Sequence, residues 1–171
     1  MRVLNFSQLL DERPRLIKNH NETLLVKQNG TCILYGLGGF NNPSNLPTYN
    51  THNRGGVIVN FDSDLCVVHY GINDYAFGDI LMDFLVAYFK SLNLNAIRDN
   101  NDVLVDGYKV ASFMNANIEE VVYTAAHISI EVDLSIIQEV CEKPMIKVPK
   151  GLRDYGVTQS ELIDLLHKVI I

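Results

Sequence analysis

The stretch Asn101-Asp102-Val103-Leu104-Val105-Asp106-Gly107-Tyr108-Lys109-Val110-Ala111-Ser112 carries a charged group where a reaction could use one. Apolar runs at 103–105 and 110–111 flank Asp106-Gly107. Asp-Gly between β-like runs specifies a tight hairpin, because both central residues of a type I′ turn need positive φ. Such a hairpin sets Lys109 just past the turn on a stiff strand, as a point charge with three donors. Read alone, it is either a positioned cation or a solvated hairpin lysine. A second candidate is Arg54-Gly55-Gly56, ahead of the β-like run Val57-Ile58-Val59-Asn60-Phe61. Two glycines let a backbone approach a ligand with no Cβ between, and an arginine there can pair with a carboxylate or phosphate. The alternative is a glycine bend at a sheet corner beside a surface arginine.

The elements that must position these groups follow from local pattern. Strands are expected at 23–27 and 31–35 around a turn at Gln28-Asn29-Gly30, with Cys32 a buried small hydrophobe. Gly36-Leu37-Gly38-Gly39-Phe40 opens a long polar loop through Asn53 with Pro43 and Pro47, either beside a ligand or a plain surface loop. No helical run follows these glycines, so they are no dinucleotide fingerprint. After strand 57–61, Asp62-Ser63-Asp64 turns the chain into a partner strand at 65–69, where His69 reads as structural. A helix is expected over 76–94, capped by Asp74. Phe77, Ile80, Leu81, Phe84, Leu85, Tyr88 and Leu92 form its apolar face, with Asp79, Asp83 and Lys90 outward. A long strand over 119–131 follows the lysine hairpin, its even-numbered face the more apolar. Asp133 caps a short helix through Cys141. Lys143, Lys147 and Lys150 make a basic stretch broken by Pro144 and Pro149. Thr158 and Glu161 form a capping box for a last helix over 159–169. Residues 1–20 are hard to assign, with a short helix from Phe6 and Ser7 as its possible cap. Together these give an α+β fold: a single domain over 1–171, with a mixed, mostly antiparallel sheet and helices packed mainly on one side.

Composition narrows the function. A chain of 171 residues with 47% hydrophobic and 20% charged residues is ordinary for one globular domain. A net charge of −6 without a basic cluster of phosphate-binding size argues against a nucleic-acid partner. Three widely spaced cysteines, Cys32, Cys66 and Cys141, lack metal-site or disulfide spacing and point to reduced thiols in a cytoplasmic setting. The histidines show no metal-binding spacing, so no metal site is expected. Charges at Asp11, Glu12 and Arg13 interrupt the N-terminus too early for a signal peptide, and no apolar run is long enough for a membrane span.

Four segments, in order, resemble the catalytic domain shared by lipoate–protein ligases, octanoyl-carrier-protein transferases and biotin ligases. Residues 24–36 resemble its opening hairpin, which ends in glycine and leads into an Asn/Pro loop. Arg54-Gly55-Gly56-Val57-Ile58-Val59 resembles the transferases' Arg-Gly-Gly strand, or a worn form of the ligases' Arg-Arg-x-Ser-Gly-Gly-Gly. Asn101-Asp102 through Lys109-Val110-Ala111 is the closest match, to an Asn-Asp…Lys-Ile-Ala-Gly hairpin. Pro149-Lys150-Gly151-Leu152 resembles a Lys-Gly-Ile stretch before the last helix. The resemblance implies transfer of a lipoyl or octanoyl group to a lysine of a carrier domain protein. Two donors are open: a free acid with ATP and magnesium, or a thioester on acyl carrier protein that passes through an acyl-cysteine. On this reading Lys109 polarises the acyl carbonyl or phosphate oxygen, and Arg54, Gly55, Gly56, Val57, Gly36, Asn101, Asp102 and Ser112 bind the small acyl ligand. Cys141 is the candidate nucleophile, although it lies in Val140-Cys141-Glu142-Lys143 rather than the transferases' Pro-Cys-Gly-Ile. Val57 stands for a ligase glycine, and Ser112 for the glycine after Lys-Ile-Ala. These departures leave a second implication open, a non-catalytic relative that binds an acyl or nucleotide ligand or a partner protein.

Overall fold

The structure, a computed structural model, describes residues 1–52 and 55–170. The Asp-Gly turn forms as its sequence demands: Asp106 and Gly107 have φ of 51° and 84°. It joins β8 (Asp102–Val105) to β9 (Tyr108–Ile118). Glu119, also at positive φ, turns β9 into β10 (Val121–Ile128), so the strand expected over 119–131 is the return arm of a second hairpin. On its other side β10 pairs with β6 (Leu65–Ile72), β6 with β2 (Glu22–Val26), and β2, in parallel, with β1 (Arg2–Leu4). β7 (Ala96–Asp99) closes the far edge against β8. The result is a seven-stranded sheet ordered β1-β2-β6-β10-β9-β8-β7.

A second sheet, β4-β3-β5, is built from β3 (Cys32–Tyr35), β4 (Thr48–Asn50) and β5 (Val57–Asn60). Three expectations are corrected by this division. β2 and β3 do not make an opening hairpin, because they lie in different sheets. β5 and β6 are not partners; Asp64 ends the turn between them by accepting bonds from the backbone N–H groups of Phe61, Ile130 and Glu131. The loop expected over 36–53 contains β4, paired in parallel with β3. Strand pairing between distant residues, not local pattern, decides all three.

The helices fill the spaces around the sheets. α1 (Phe6–Asn19) is longer than expected and passes through Pro14, whose ring lies on the exposed side where water can take the lost backbone bond. Its cap is Asn5, not Ser7: Asn5 and Gln8 bond each other's backbone N–H in a capping box. α2 (Phe77–Ser91) starts without a side-chain cap, because Asp74 bonds His69 instead. Its buried stripe is Gly78, Leu81, Met82, Leu85 and Phe89. Ile80 and Leu92, expected inside, are 66% and 42% exposed. Asp79 and Asp83 face Arg98 of β7, which fixes this rotation of the helix. α3 (Leu134–Val140) is capped by Asp133, and α4 (Gln159–Val169) by the Thr158/Glu161 box, both as expected.

Alternation along β6 and β10 assigns the layers. Leu65, Val67, Ala126 and Ile128 point into a core with α2 and α4. Cys66, Val68, Tyr70 and Tyr123 point the other way, toward α1 and the small sheet. α3 packs on the small sheet's far face through Ile137 and Val140 against Ile33, Val59 and Phe61. β10 is therefore buried on both faces, and the mixed, mostly antiparallel α+β architecture is as expected. Cys32 is fully buried. His69 is structural: its ring contacts Thr23 and Asp74 at 2.8 and 2.9 Å and stacks on Phe77.

Gly78 lies where α2 meets β9, and a Cβ there would run into the Phe113 ring. Gly78→Ala is expected to destabilise the fold by about 1–3 kcal/mol despite its better helix propensity, as overpacking does. Urea unfolding followed by circular dichroism measures this, and unchanged stability would refute the packing described.

Candidate functional site

The register of β8 against β9 contains one irregularity, and it decides where Lys109 points. Asp102 pairs with Ser112 and Val103 with Ala111, but Leu104 pairs with Lys109. Val110 is the extra residue, a β-bulge. Val110 and Ala111 are both buried in the α2 core. Strict alternation would send Lys109 into that same core with Ala111. The bulge re-aims it to the other face, beside Ser112. There Lys109 is half-buried, and its backbone is held on both sides. Its N–H donates to the Val148 carbonyl at 2.9 Å, and its carbonyl accepts from the Lys150 N–H at 3.0 Å.

Two cavities meet at this lysine. The larger, about 410 Å³, lies between the sheets. Leu34, Ile58, Val68, Met114 and Tyr123 make its apolar depth, and Gly56, Val57, Asn101, Asp102, Lys109 and Ser112 line it at the lysine end. The smaller, about 130 Å³, runs under α3 and is lined by Val59, Ile137, Cys141, Met145, Lys147 and Pro149. Val57, Ile58, Lys109, Ser112 and His127 belong to both walls. The lysine hairpin and the glycine-led strand thus face one cleft.

The electrostatics leave Lys109 uncompensated. Asp102, the nearby candidate acid on β8, is taken by Lys147, whose Nζ lies 2.6 Å from Asp102 and 3.0 Å from Asp99. Hydrogen bonds to Asp102 and then Asp99 hold the Lys147 pKa above its usual value. Among the described residues the Lys109 ammonium has no ion pair or hydrogen bond. A half-buried cation facing a cavity without a counter-ion is suited to an anionic or strongly polarised ligand group.

The other expected residues fall in three groups. Gly56, Val57, Asn101, Asp102 and Ser112 reach the larger cavity. Gly36 and Gly55 serve the backbone that supports it: the Gly36 N–H donates to the Gly56 carbonyl at 3.3 Å, and the Leu37 N–H to the Gly55 carbonyl at 3.2 Å. Gly38 packs against Gly56 so closely that a Cβ would lie 3.2 Å from the Gly56 Cα, whereas a Cβ on Gly56 itself would meet open space. Arg54 lies outside the described residues. Cys141 caps the C-terminal end of α3 and lines the smaller cavity. Burial pushes its thiol up, and the charge of Lys109 pulls it part of the way back. A helix C-terminus adds no help, since its partial negative charge disfavours a thiolate.

His127 and Lys147 were not singled out from the sequence. His127 pairs across the strands with Ser112, borders both cavities, and its buried Nε2 lies 3.2 Å from Asp64 Oδ2 without hydrogen-bond geometry. Its signal was a histidine among the odd-numbered residues of 119–131. Lys147 stood out only as part of the basic stretch, because its partners lie 45 or more positions away.

No family model matches the chain, and no curated protein matches it in sequence. The fold, however, matches solved structures over nearly its whole length. P. falciparum LipL1 in complex with lipoate superposes with a TM-score of 0.71 at 18% identity, over 98% of this chain and 60% of that one. Lipoate-protein ligase A bound with ATP gives 0.75 at 13%, over 97% and 80%. The bi-partite lipoate protein ligase from Thermoplasma acidophilum, described with its E2 lipoyl domain, gives 0.73 at 14%, over 98% and 80%. The chain has the lipoate/biotin ligase catalytic-domain fold, and it spans three fifths of the LipL1 chain.

The thiols allow a direct check of the site. Burial raises Cys32 to about 12 and Cys66 well above its usual value. In the native protein iodoacetamide is expected to label Cys141 alone, with a rate that climbs as pH rises above neutrality toward the raised pKa. All three cysteines should label in urea. Lys109→Met should slow Cys141 labelling at pH 8 by removing the charge that favours the thiolate. Peptide mass spectrometry reads both, and an unchanged rate would mean that Lys109 does not face Cys141.

Proposed function

We propose that this protein transfers a lipoyl or octanoyl group to a lysine of a small carrier domain, with Lys109 holding the acyl carbonyl or phosphate oxygen during attack. The uncompensated Lys109 ammonium at the junction of the two cavities is the observation that carries this reading. The larger cavity supports it, with apolar walls for an acyl chain and a polar end at the lysine. Each buried methylene of such a chain contributes about 0.8 kcal/mol. The solved relatives of the same fold bind lipoate and ATP, and one is described with an E2 lipoyl domain.

The transfer step is a nucleophilic acyl substitution. The neutral amine of the acceptor lysine attacks the acyl carbon, negative charge gathers on the carbonyl oxygen, and an amide forms as the leaving group departs. A cation already in place stabilises that charge without reorganising, which is worth about 10²–10³ in rate for one well-placed donor. The backbone bonds to Val148 and Lys150 keep Lys109 in place, and Lys147 keeps Asp102 from quenching it.

The donor decides the part of Cys141. With a thioester donor, its Sγ would attack the acyl carbon, release the carrier thiol and hold the acyl group until the acceptor amine takes it. With a free acid, ATP and magnesium supply the activation, the Lys109 charge fits a phosphate oxygen, and Cys141 is a wall of the smaller cavity. The raised thiol at a helix C-terminus supports the ATP route. A second reading, ligand binding without turnover, draws support from Val57: the resembled ligase pattern has glycine where its side chain borders both cavities.

The test is the intact mass of a lipoyl domain after incubation with either lipoate, ATP and magnesium, or octanoyl carrier protein. Acylation is expected with the first donor. Lys109→Met should lower the rate at least about 10²-fold, and Cys141→Ser should leave ATP-dependent transfer intact. Unmodified lipoyl domain with both donors would leave the binding reading standing in its place.

A further inference from the structure

The segment between α3 and the 3₁₀ turn Leu152–Tyr155 runs along the mouth of the site, and its two sides differ. Met145, Lys147 and Pro149 line the smaller cavity. The residues between them face out: Ile146 is 97% exposed and Val148 40%. Tyr108, at the start of β9, is 41% exposed and lies against Lys150, whose Nζ stands 5.0 Å from its ring. Isolated exposed apolar residues are ordinary, but here two of them lie on the segment bonded to the Lys109 backbone and the third, Tyr108, precedes Lys109 itself.

The charge along this segment is opposite in sign to that of the chain. Residues 142–153 hold four of the chain's 14 Lys and Arg, and only one of its 20 Asp and Glu. Unpaired lysines on this segment, on a protein of net charge −6, favour an acidic partner here over the chain's acidic surface. Lys147 is spent on Asp99 and Asp102 and Arg153 pairs with Glu131, which leaves Lys143 and Lys150 to supply the outward charge.

We propose that Ile146, Val148 and Tyr108, flanked by Lys143 and Lys150, dock an acidic carrier domain so that its acceptor lysine reaches Lys109. This rests on the acyl-transfer reading and adds to it the surface and the chemistry of the partner. Ile146 is the apolar anchor, and the lysines set orientation and encounter rate. The pinning of Val148 and Lys150 to Lys109 ties the docked domain to the reacting centre through two backbone hydrogen bonds.

The test measures binding and transfer separately, with the full chain and a lipoyl domain of net negative charge. Because Ile146 is exposed, Ile146→Asp leaves the fold intact, and thermal unfolding verifies this. It is expected to weaken binding in titration calorimetry by about 10-fold or more. Lys143→Glu should weaken binding and flatten its salt dependence. Ile80→Asp, at an exposed site on α2 away from this segment, should change neither. Unchanged affinity in Ile146→Asp overturns the proposal, as does a lipoyl domain that does not bind at all. Loss of a dimer of this chain in Ile146→Asp would assign the patch to self-association and overturn it too. Binding without acylation would instead count against the acyl-transfer reading and leave the docking surface standing.

Discussion

One extra residue in a strand sets the character of this site. Val110 has no partner on β8, and the bulge it makes lets two neighbouring side chains, Val110 and Ala111, enter the same core. The hydrophobic drive to bury both is what holds the irregularity in place. Its consequence is that Lys109 leaves the core face, where an unpaired ammonium would be expensive, and enters the cleft between the sheets. The bulge is also anchored from outside the hairpin: the Ser129 N–H donates to the Val110 carbonyl, while Val148 and Lys150 bond Lys109. A register slip of one residue would have to break these together.

Among the described residues, charge around the cleft is divided so that Lys109 stays unmatched. Lys147, next in sequence to Val148, which clamps the Lys109 backbone, satisfies both Asp99 and Asp102. Asp64, buried beneath, is satisfied by three backbone N–H groups and terminates the β5–β6 turn. With these carboxylates occupied, the field at the junction of the cavities is set by Lys109. That field reaches Cys141 and opposes the rise in its thiol caused by burial. The same arrangement therefore governs both the electrophilic end of the cleft and the reactivity of its one partly exposed thiol.

Features encoded within a few residues were legible in the sequence. The Asp106-Gly107 turn, the Asp133 cap and the Thr158/Glu161 box each satisfy their own backbone groups, so no distant contact can easily overrule them. Features that depend on distant partners were not. Ser7 was a sound local cap for α1, yet Asn5 takes the place because Gln8 completes its box. The apolar face of α2 was read from hydrophobicity alone, and Arg98 of β7, which the sequence reading left without a strand, turns the helix through Asp79 and Asp83. Apolar runs at 24–26, 32–35 and 57–60 were recognisable as strands, but nothing in them says that the first belongs to one sheet and the others to another. The site divides the same way: Lys109, Asp102 and Ser112 share one hairpin and were found together, whereas His127 and Lys147 enter only through cross-sheet and loop contacts.

The two cavities give the lysine its chemical meaning, because they ask different things of it. The larger is apolar in depth, and a chain lying there presents its head group at Lys109. The smaller opens under α3 beside Cys141, Lys147 and Pro149, toward the segment whose outer side carries Ile146. On the acyl-transfer proposal a group entering from that side would meet the head group at the lysine, since Val57, Ile58, Ser112 and His127 form the remaining shared wall. On that proposal the arrangement would favour reaction between two bound partners by fixing where they meet, which removes much of the translational and rotational cost of a bimolecular step. In this chain the bulged hairpin, the strand entered through glycine and the clamp on the lysine backbone are each specified by conformation and pairing more than by side-chain identity.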